Sequence, residues 1–412
     1  MQYKLLLFII SPLISLVYSI RNFSNKGSRI LLWLFIGFYG YTFTTFSSAL
    51  DAARIKEKFL RSNEFSFYQY TGIDKVLSTG NIEIVEPALL WMTRHVTTDF
   101  QILMMLYGLI FGFFLVRNTY LIYEQIDHTK KNKLVVLLVV AFAFTISFWE
   151  INGWRFWTAS QIFVWIVLNR YIRKKPKDIY LIILPFIHYS FILAIVLYFL
   201  SLLSKYISYK VLVLLLLTSF SISNINVDAP LFFSNFKSKV IPIEYGKEQL
   251  EAYSNIDFIK DRQRQSVKNN FYVVLYKKFL QLSVILLLTL SLFVYKKHFK
   301  GCDFLPFAVL YLALGLLFSK IGVSNLGRFI EPALMIAIAA LIPTINIMRF
   351  KINNWYLYRS VVSLMLFFYL LVEFRVGLDR IGYYSFLTNP ILAPLLDPDG
   401  NVAVIIWIKS LL

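Results

Sequence analysis

Cysteine is nearly absent from this chain. Cys302 stands alone, which excludes a disulfide framework and leaves no thiolate set for a metal. The four histidines, His95, His128, His188 and His298, fall at no ligand spacing. Charge is also scarce: Asp, Glu, Lys and Arg make up 16% of residues against 58% hydrophobic, too little polar surface for a soluble globular domain. Acidic residues are scarcest, 23 against 42 Lys and Arg, giving a net charge of +19. No Walker A run, H-E-x-x-H or G-x-S-x-G occurs, so the usual signatures of P-loop, zincin and hydrolase chemistry are missing.

What the chain has is apolar blocks, such as 134–148, 211–220 and 280–294. A membrane-crossing helix needs roughly 20 mostly apolar residues. The blocks are continuous rather than alternating, which excludes a β-barrel and leaves helices. Basic residues cluster between them: Arg21/Lys26/Arg29, Lys130/Lys131/Lys133, Arg173/Lys174/Lys175/Lys177, Lys296/Lys297/Lys300 and Arg349/Lys351. That pattern is the positive-inside rule rather than a nucleic-acid surface, so no nucleic-acid partner is expected. The expectation is an all-α, polytopic integral membrane bundle over 1–412, with about eleven to thirteen spans.

Taking the basic clusters as cytoplasmic sets the path. A retained first helix is expected at about 3–20 with its N-terminus outside, and a second at about 30–50. A first outside loop covers 51–98, followed by helices at about 99–117, 134–149 and 156–172. A single crossing over 179–204 would place the 296–300 cluster outside. Two short crossings, broken near Pro185 and His188, restore the charge parity. A helix at about 211–223 then leads to a second outside loop, 224–270. Helices follow at about 271–295, 303–320, 329–348 and 356–376, then an outside segment, 377–401. Residues 402–412 are too short to span plainly.

The two loops differ from the cytoplasmic ones. Residues 51–86 carry five basic and six acidic residues, and 224–270 seven and six, so both are near neutral. Both are aromatic, with Phe65, Phe67, Tyr68 and Tyr70 in one and Phe232, Phe233, Phe236, Tyr245 and Tyr253 in the other. Aromatic faces beside carboxylates suit sugars; an interfacial belt explains the same residues.

Ionisable residues at the membrane boundary are the candidates for chemistry. In Asn152-Gly153-Trp154-Arg155, Arg155 can grip a phosphate or serve as an interfacial anchor. Arg328, after Asn325-Leu326-Gly327, can do the same, or form an i,i+3 pair with Glu331. His188 lies within an apolar stretch, as acid, base, phosphate donor or core histidine. Asp51 and Arg54 share a face at the outer end of the second helix; Glu86 opens the segment before the third, with Arg94 two turns on. Asp51 and Glu86 are candidate bases for an acceptor hydroxyl. Arg262 and Arg264, in Lys260-Asp261-Arg262-Gln263-Arg264, can meet lipid phosphates or face solvent. Asp397-Pro398-Asp399 has a D-x-D spacing, but Gly400 makes it a polar turn, and no metal is expected. Glu86-Pro87-Ala88-Leu89 recurs as Glu331-Pro332-Ala333-Leu334, each at a helix start.

This arrangement resembles the Wzy-type polymerases of O-antigen and exopolysaccharide repeat units, in the EpsG-like branch. The resemblance is carried by Leu50-Asp51-Ala52-Ala53-Arg54, Glu86-Pro87, the N-x-x-R-x-x-x-A stretch Asn152–Ala159, the basic run 173–177 and Ile187-His188-Tyr189-Ser190. It covers about 40–200 best, and the C-terminal half matches in layout, with Arg328 as a second arginine. It implies a GT-C-like fold in a bacterial inner membrane, with both long loops periplasmic. The implied reaction moves a growing glycan from undecaprenyl pyrophosphate to a lipid-linked repeat unit. No cofactor is implied, and the partners would be membrane lipid, the lipid-linked oligosaccharide and a chain-length regulator. In that picture Arg155 and Arg328 hold the pyrophosphate, His188 supports it or shuttles a proton, and Glu86 or Asp51 activates the acceptor. Arg54, Arg94, Asn152, Arg262 and Arg264 are further candidate contacts.

Alternatives from other classes are a flippase for lipid-linked oligosaccharide, a membrane O-acetyltransferase, another polyprenyl-linked glycosyltransferase and a structural export subunit. A flippase would show two similar halves and short loops, whereas this chain has long ones.

Overall fold

A computed structural model describes residues 2–44, 51–72, 82–126, 132–224, 271–298, 303–319, 326–348 and 353–411. The chain is an all-α, polytopic helical bundle of membrane type. Among the described residues, four helical stretches are long and apolar enough to cross a membrane: Phe100–Tyr123, Lys133–Tyr171, Leu275–Val294 and Trp355–Arg380. Shorter apolar helices complete the bundle. The eleven to thirteen expected spans thus resolve, among the described residues, into long crossings mixed with half-length pieces.

The first such piece corrects the expected helix at 3–20. Ser11 caps a new helix whose first turn takes Pro12, so the chain forms α1 (Gln2–Ile10) and α2 (Pro12–Arg21). Lys4 Nζ lies 5.6 Å from the centre of the Tyr18 ring, a contact that a straight helix would hold roughly 21 Å apart. The two therefore fold back on each other.

Helix α3 (Lys26–Tyr41) ends earlier than the expected 30–50. It lies along α7 (Phe100–Tyr123) on a seam of glycines. A Cβ on Gly40 would stand 2.2 Å from the Met104 carbonyl oxygen, and one on Gly108 2.5 Å from that of Ile36. Only glycine lets the two backbones approach so closely.

Between them the first loop is itself structured. Asp51 belongs not to the end of α3 but to a separate amphipathic helix, α4 (Asp51–Arg61), which buries Ala52, Ile55 and Phe59 at i, i+3 and i+7. A short α5 (Phe67–Thr71) starts with a Ser66/Gln69 capping box and stops at Gly72, whose φ of 66° suits glycine. Helix α6 (Val85–Val96) follows.

Helix α8 (Lys133–Thr145) and α9 (Trp154–Tyr171) are joined by a 3-10 turn, Phe148–Gly153. Gln161 Nε2 donates to the Ile146 carbonyl and Asn118 Nδ2 to Gln161 Oε1, tying α7 and α9 to the end of α8. After α9, Asp178 accepts a hydrogen bond from Tyr198 Oη (2.8 Å) and pairs with Arg170. Residues 20 apart meet because the chain reverses between α10 (Leu184–Ile187) and α11 (Phe191–Ser201), at His188–Ser190. The chain thus forms a helical hairpin at the break near Pro185 and His188.

Helix α12 (Tyr209–Asn224) then runs beside α14 (Phe304–Phe318). Helices α13 (Phe271–His298), α15 (Ile330–Met348) and α16 (Trp355–Arg380) fill the remainder. Past α16 come α17 (Tyr384–Leu387) and the eight-residue α18 (Val404–Leu411), which packs back on α16.

The bundle has two chemically different ends. At one, Arg29 covers the Tyr120 ring at 3.4 Å, Arg173 pairs with Glu124, and Tyr171 stacks on Phe304 at 4.8 Å. This basic end gathers the α2–α3, α7–α8, α9–α10 and α13–α14 connections. The opposite end holds the starts of α6, α7, α9, α13 and α15 and the ends of α3 and α16. Residues 224 and 271 belong to this same end as residues 82–98.

Candidate functional site

The end opposite the basic clusters carries two ionic groupings. The first is built from loop and hairpin. Arg155, in the first turn of α9, reaches Glu83 with NH1 at 2.5 Å and Glu86 with Nε at 3.3 Å. Both carboxylates are buried, at 7% and 3% exposure. Glu83 also accepts the Tyr189 backbone N–H at 2.9 Å, which the reversal at His188–Ser190 points toward it. Burial raises the proton affinity of Glu83 above the ordinary carboxylate range; Arg155 and the Tyr189 N–H offset this only in part. His188 is buried edge-on against Phe156, with ring centres 5.4 Å apart. Its Nδ1 receives the Ser190 backbone N–H at 3.3 Å and lies 2.9 Å from Ser190 Oγ. Nδ1 is thus an acceptor and the ring proton sits on Nε2, so the 3.5 Å approach of Nδ1 to Glu83 is not an ion pair of an imidazolium.

The second grouping lines a cavity of about 330 Å³. Its wall holds Asp51 at the start of α4, Glu150 and Asn152 of the 3-10 turn, Lys277 of α13, Arg328 and Glu331 around the start of α15, and Arg380 at the end of α16. Trp149, Trp157, Phe43, Thr44 and Gly153 complete it. Lys277 Nζ is 3.2 Å from Glu331 Oε1, and Arg380 pairs with Glu150. Lys277 keeps 53% of its side chain accessible, because the cavity reaches it. Behind the wall, Trp149 Nε1 donates to the buried Glu373 at 3.2 Å. The two groupings are neighbours: Arg328 faces the Phe156 ring at 5.9 Å, and the same ring touches His188.

The expected residues separate accordingly. Glu86, Arg155 and His188 meet in the first grouping; Asp51, Asn152 and Arg328 meet in the second. Asn152 has a structural task as well, its Oδ1 accepting the Ala52 N–H at 3.0 Å and so fixing the start of α4. Arg54 does not join: it is 70% exposed and 4.0 Å from Asp51. Arg94 packs over the Phe59 ring at 5.7 Å, its Nε buried without a partner among the described residues. The expected Arg328–Glu331 pair is replaced by Lys277–Glu331 among the described residues, because α13 brings an ammonium to the carboxylate. Arg262 and Arg264, with most of loop 224–270, lie outside the described residues. In the D-x-D turn, Asp397 Oδ1 accepts the Asp399 N–H, so that carboxylate caps its own turn.

Glu83, Glu150, Lys277, Arg380 and Glu373 were not singled out from sequence. The usable signal was their charge inside or beside apolar runs: Lys277 within 271–295 and Glu373 within 356–376. Among the described residues no group of three or more His, Cys, Asp or Glu is placed to hold a metal. Three cations and three carboxylates around one water-accessible cavity can bind a multiply charged anion and handle a proton beside it. No family, curated protein or solved structure compared with the chain matches it.

Proposed function

We propose that the chain is a GT-C-like membrane glycosyltransferase: a repeat-unit polymerase of the Wzy type, EpsG-like branch. It moves a glycan from undecaprenyl pyrophosphate to a lipid-linked repeat unit at the periplasmic face of a bacterial inner membrane. The observation that carries this reading is the cavity. It lies at the end away from the basic clusters, where both long loops attach, and it joins Lys277, Arg328 and Arg380 to Asp51, Glu150 and Glu331.

Glycosyl transfer from a diphosphate needs positive charge for the departing group and a base for the incoming hydroxyl. Arg328, with Lys277 and Arg380, supplies the first. Arg155 takes a different task from the one its motif implied: it neutralises Glu83 and Glu86 and holds the loop to the hairpin. Trp157 on the cavity wall gives a sugar ring an apolar face.

The test is a purified protein in detergent given a verified lipid-linked repeat unit. A ladder of longer glycans, lost in Arg328→Ala, supports the reading; no ladder overturns it. Net movement of the intact lipid-linked unit across a vesicle, without a ladder, would instead support a flippase.

A further inference from the structure

Three carboxylates line the cavity, and their surroundings are unequal. Asp51 is half exposed, with Arg54 at 4.0 Å. Glu150 is clamped by Arg380. Glu331 is mostly buried, with 17% side-chain exposure. Its Oε1 meets Lys277 at 3.2 Å, and its Oε2 is buried with no hydrogen-bond donor among the described residues. Its negative charge therefore rests on one ammonium.

That ammonium is exchangeable. Lys277 is a single-point donor on a flexible stem, half exposed to the cavity, and it shares the wall with Arg328 and Arg380. A diphosphate brings more negative charge than one carboxylate, and the three cations together form its natural seat. When it sits there, Lys277 turns to phosphate and Glu331 is left as a desolvated carboxylate beside the reacting centre.

We propose that Glu331 is the proton acceptor of the transfer, and that Lys277 keeps it ionised and inactive until a diphosphate ligand draws Lys277 away. The proposal rests on the glycan-transfer reading above. The acceptor hydroxyl gives its proton to Glu331 Oε1, and the hydroxyl oxygen bonds to the anomeric carbon of the donor sugar. The bond from that carbon to the phosphate oxygen breaks, and its electron pair leaves on the diphosphate against Lys277, Arg328 and Arg380. Release of the diphosphate returns Lys277, and Glu331 gives its proton to water. The base is thus armed only when the donor is seated.

Other charged groups around Glu331 do not take over the role of Lys277. On its own element it has Arg328; the packed elements bring Tyr276 of α13, Glu150 of the 3-10 turn, Asp51 of α4, and Arg380, Glu373 and Tyr369 of α16. Arg328 and Arg380 turn to the seated diphosphate from the same wall, and among the described residues Lys277 alone meets Glu331 directly. The start of α15 favours the carboxylate only weakly, too little to replace a direct ammonium contact.

The test is calorimetric titration of the detergent-solubilised protein with inorganic pyrophosphate, in two buffers of different ionisation heat. Pyrophosphate alone reproduces the state after transfer, in which Glu331 holds the acceptor's proton, so the wild type should take up to about one proton on binding. Glu331→Gln should bind pyrophosphate as well or better and take up none. Lys277→Met should bind about tenfold more weakly, also without uptake, which keeps the proposal testable if one variant melts early. In the ladder assay Glu331→Gln should lose about 100-fold or more in kcat with KM little changed. Proton uptake that persists in Glu331→Gln, or a Glu331→Gln ladder within about threefold of wild type, overturns the assignment and leaves the polymerase reading standing. A wild type that makes no ladder overturns that reading instead.

Discussion

Glu86 and Glu331 stand in the same four-residue sequence, each in the first turn of a helix at the same end of the bundle, each facing a cation. Their settings diverge from there. The Glu86 cation is Arg155, a planar fork shared with a second buried carboxylate, Glu83. The Glu331 cation is a single ammonium at the edge of an open cavity. A guanidinium locked between two buried carboxylates cannot be surrendered to a ligand without stranding both. An ammonium held by one carboxylate can. The contrast separates a joint from a switch, although in the sequence the two looked alike.

The comparison requires both groupings to face one compartment, and labelling tests that all or none. In a Cys302→Ser background, a cysteine at Ser223 should react with an impermeant maleimide from the same side as one at Glu57 of α4. A cysteine at Lys205 should react only from the opposite side. Labelling of Lys205 from the Glu57 side would place the groupings in different compartments and break the comparison.

Next in size is the glycine seam. Gly40→Ala drives a methyl group into the Met104 carbonyl at 2.2 Å and should cost about 3 kcal/mol, read as a lower melting temperature in detergent. Pyrophosphate binding per folded molecule should change little, because the seam meets the cavity only through the Gly40 carbonyl, which accepts the Phe43 N–H.

Arg155→Met comes third. It should cost about 2 kcal/mol, below the usual figure for breaking a buried pair because Arg155 is 38% exposed. Pyrophosphate affinity should hardly move. A large fall in affinity with unchanged stability would show that Arg155 is a ligand contact and dissolve the distinction between joint and switch.

The smallest effect is a pH slope. Burial holds the proton on Glu83 beyond the range in which an unfolded carboxylate loses it. The folded state is therefore favoured below the unfolded titration, and that advantage is lost as pH rises through the higher folded value. Relative to Glu83→Gln, the wild type should lose melting temperature as pH rises above the ordinary carboxylate range. A slope of the opposite sign would mean that Arg155 outweighs burial.

Much of the architecture was readable because it follows from charge and length. The parity of the basic clusters demanded a double crossing near His188, and the chain reverses there. The split at Ser11-Pro12 had an equally plain local signal, a capping serine before a proline, but the span-length rule favoured one helix. The site was half readable. Arg155, Glu86 and His188 were found as isolated charged residues and do meet. That Glu83 joins them, and that Lys277 and Arg380 reach the cavity, depends on contacts between residues 54 to 230 positions apart. A lysine six residues into an apolar helix reads as an interfacial anchor until the helix opposite it is known.

The hairpin of α10 and α11 bears on how the chain is made. Neither leg is long enough to enter a bilayer as an independent span, and Asp178 at its base carries a charge. The hairpin has to go in as a pair, against an α9 already in place whose Arg170 receives Asp178. The order of synthesis supplies this, since α9 precedes the hairpin. The Ser190 turn that accompanies His188 therefore reaches the end of the bundle that carries Glu83 only after the helix bearing Arg155 is in place.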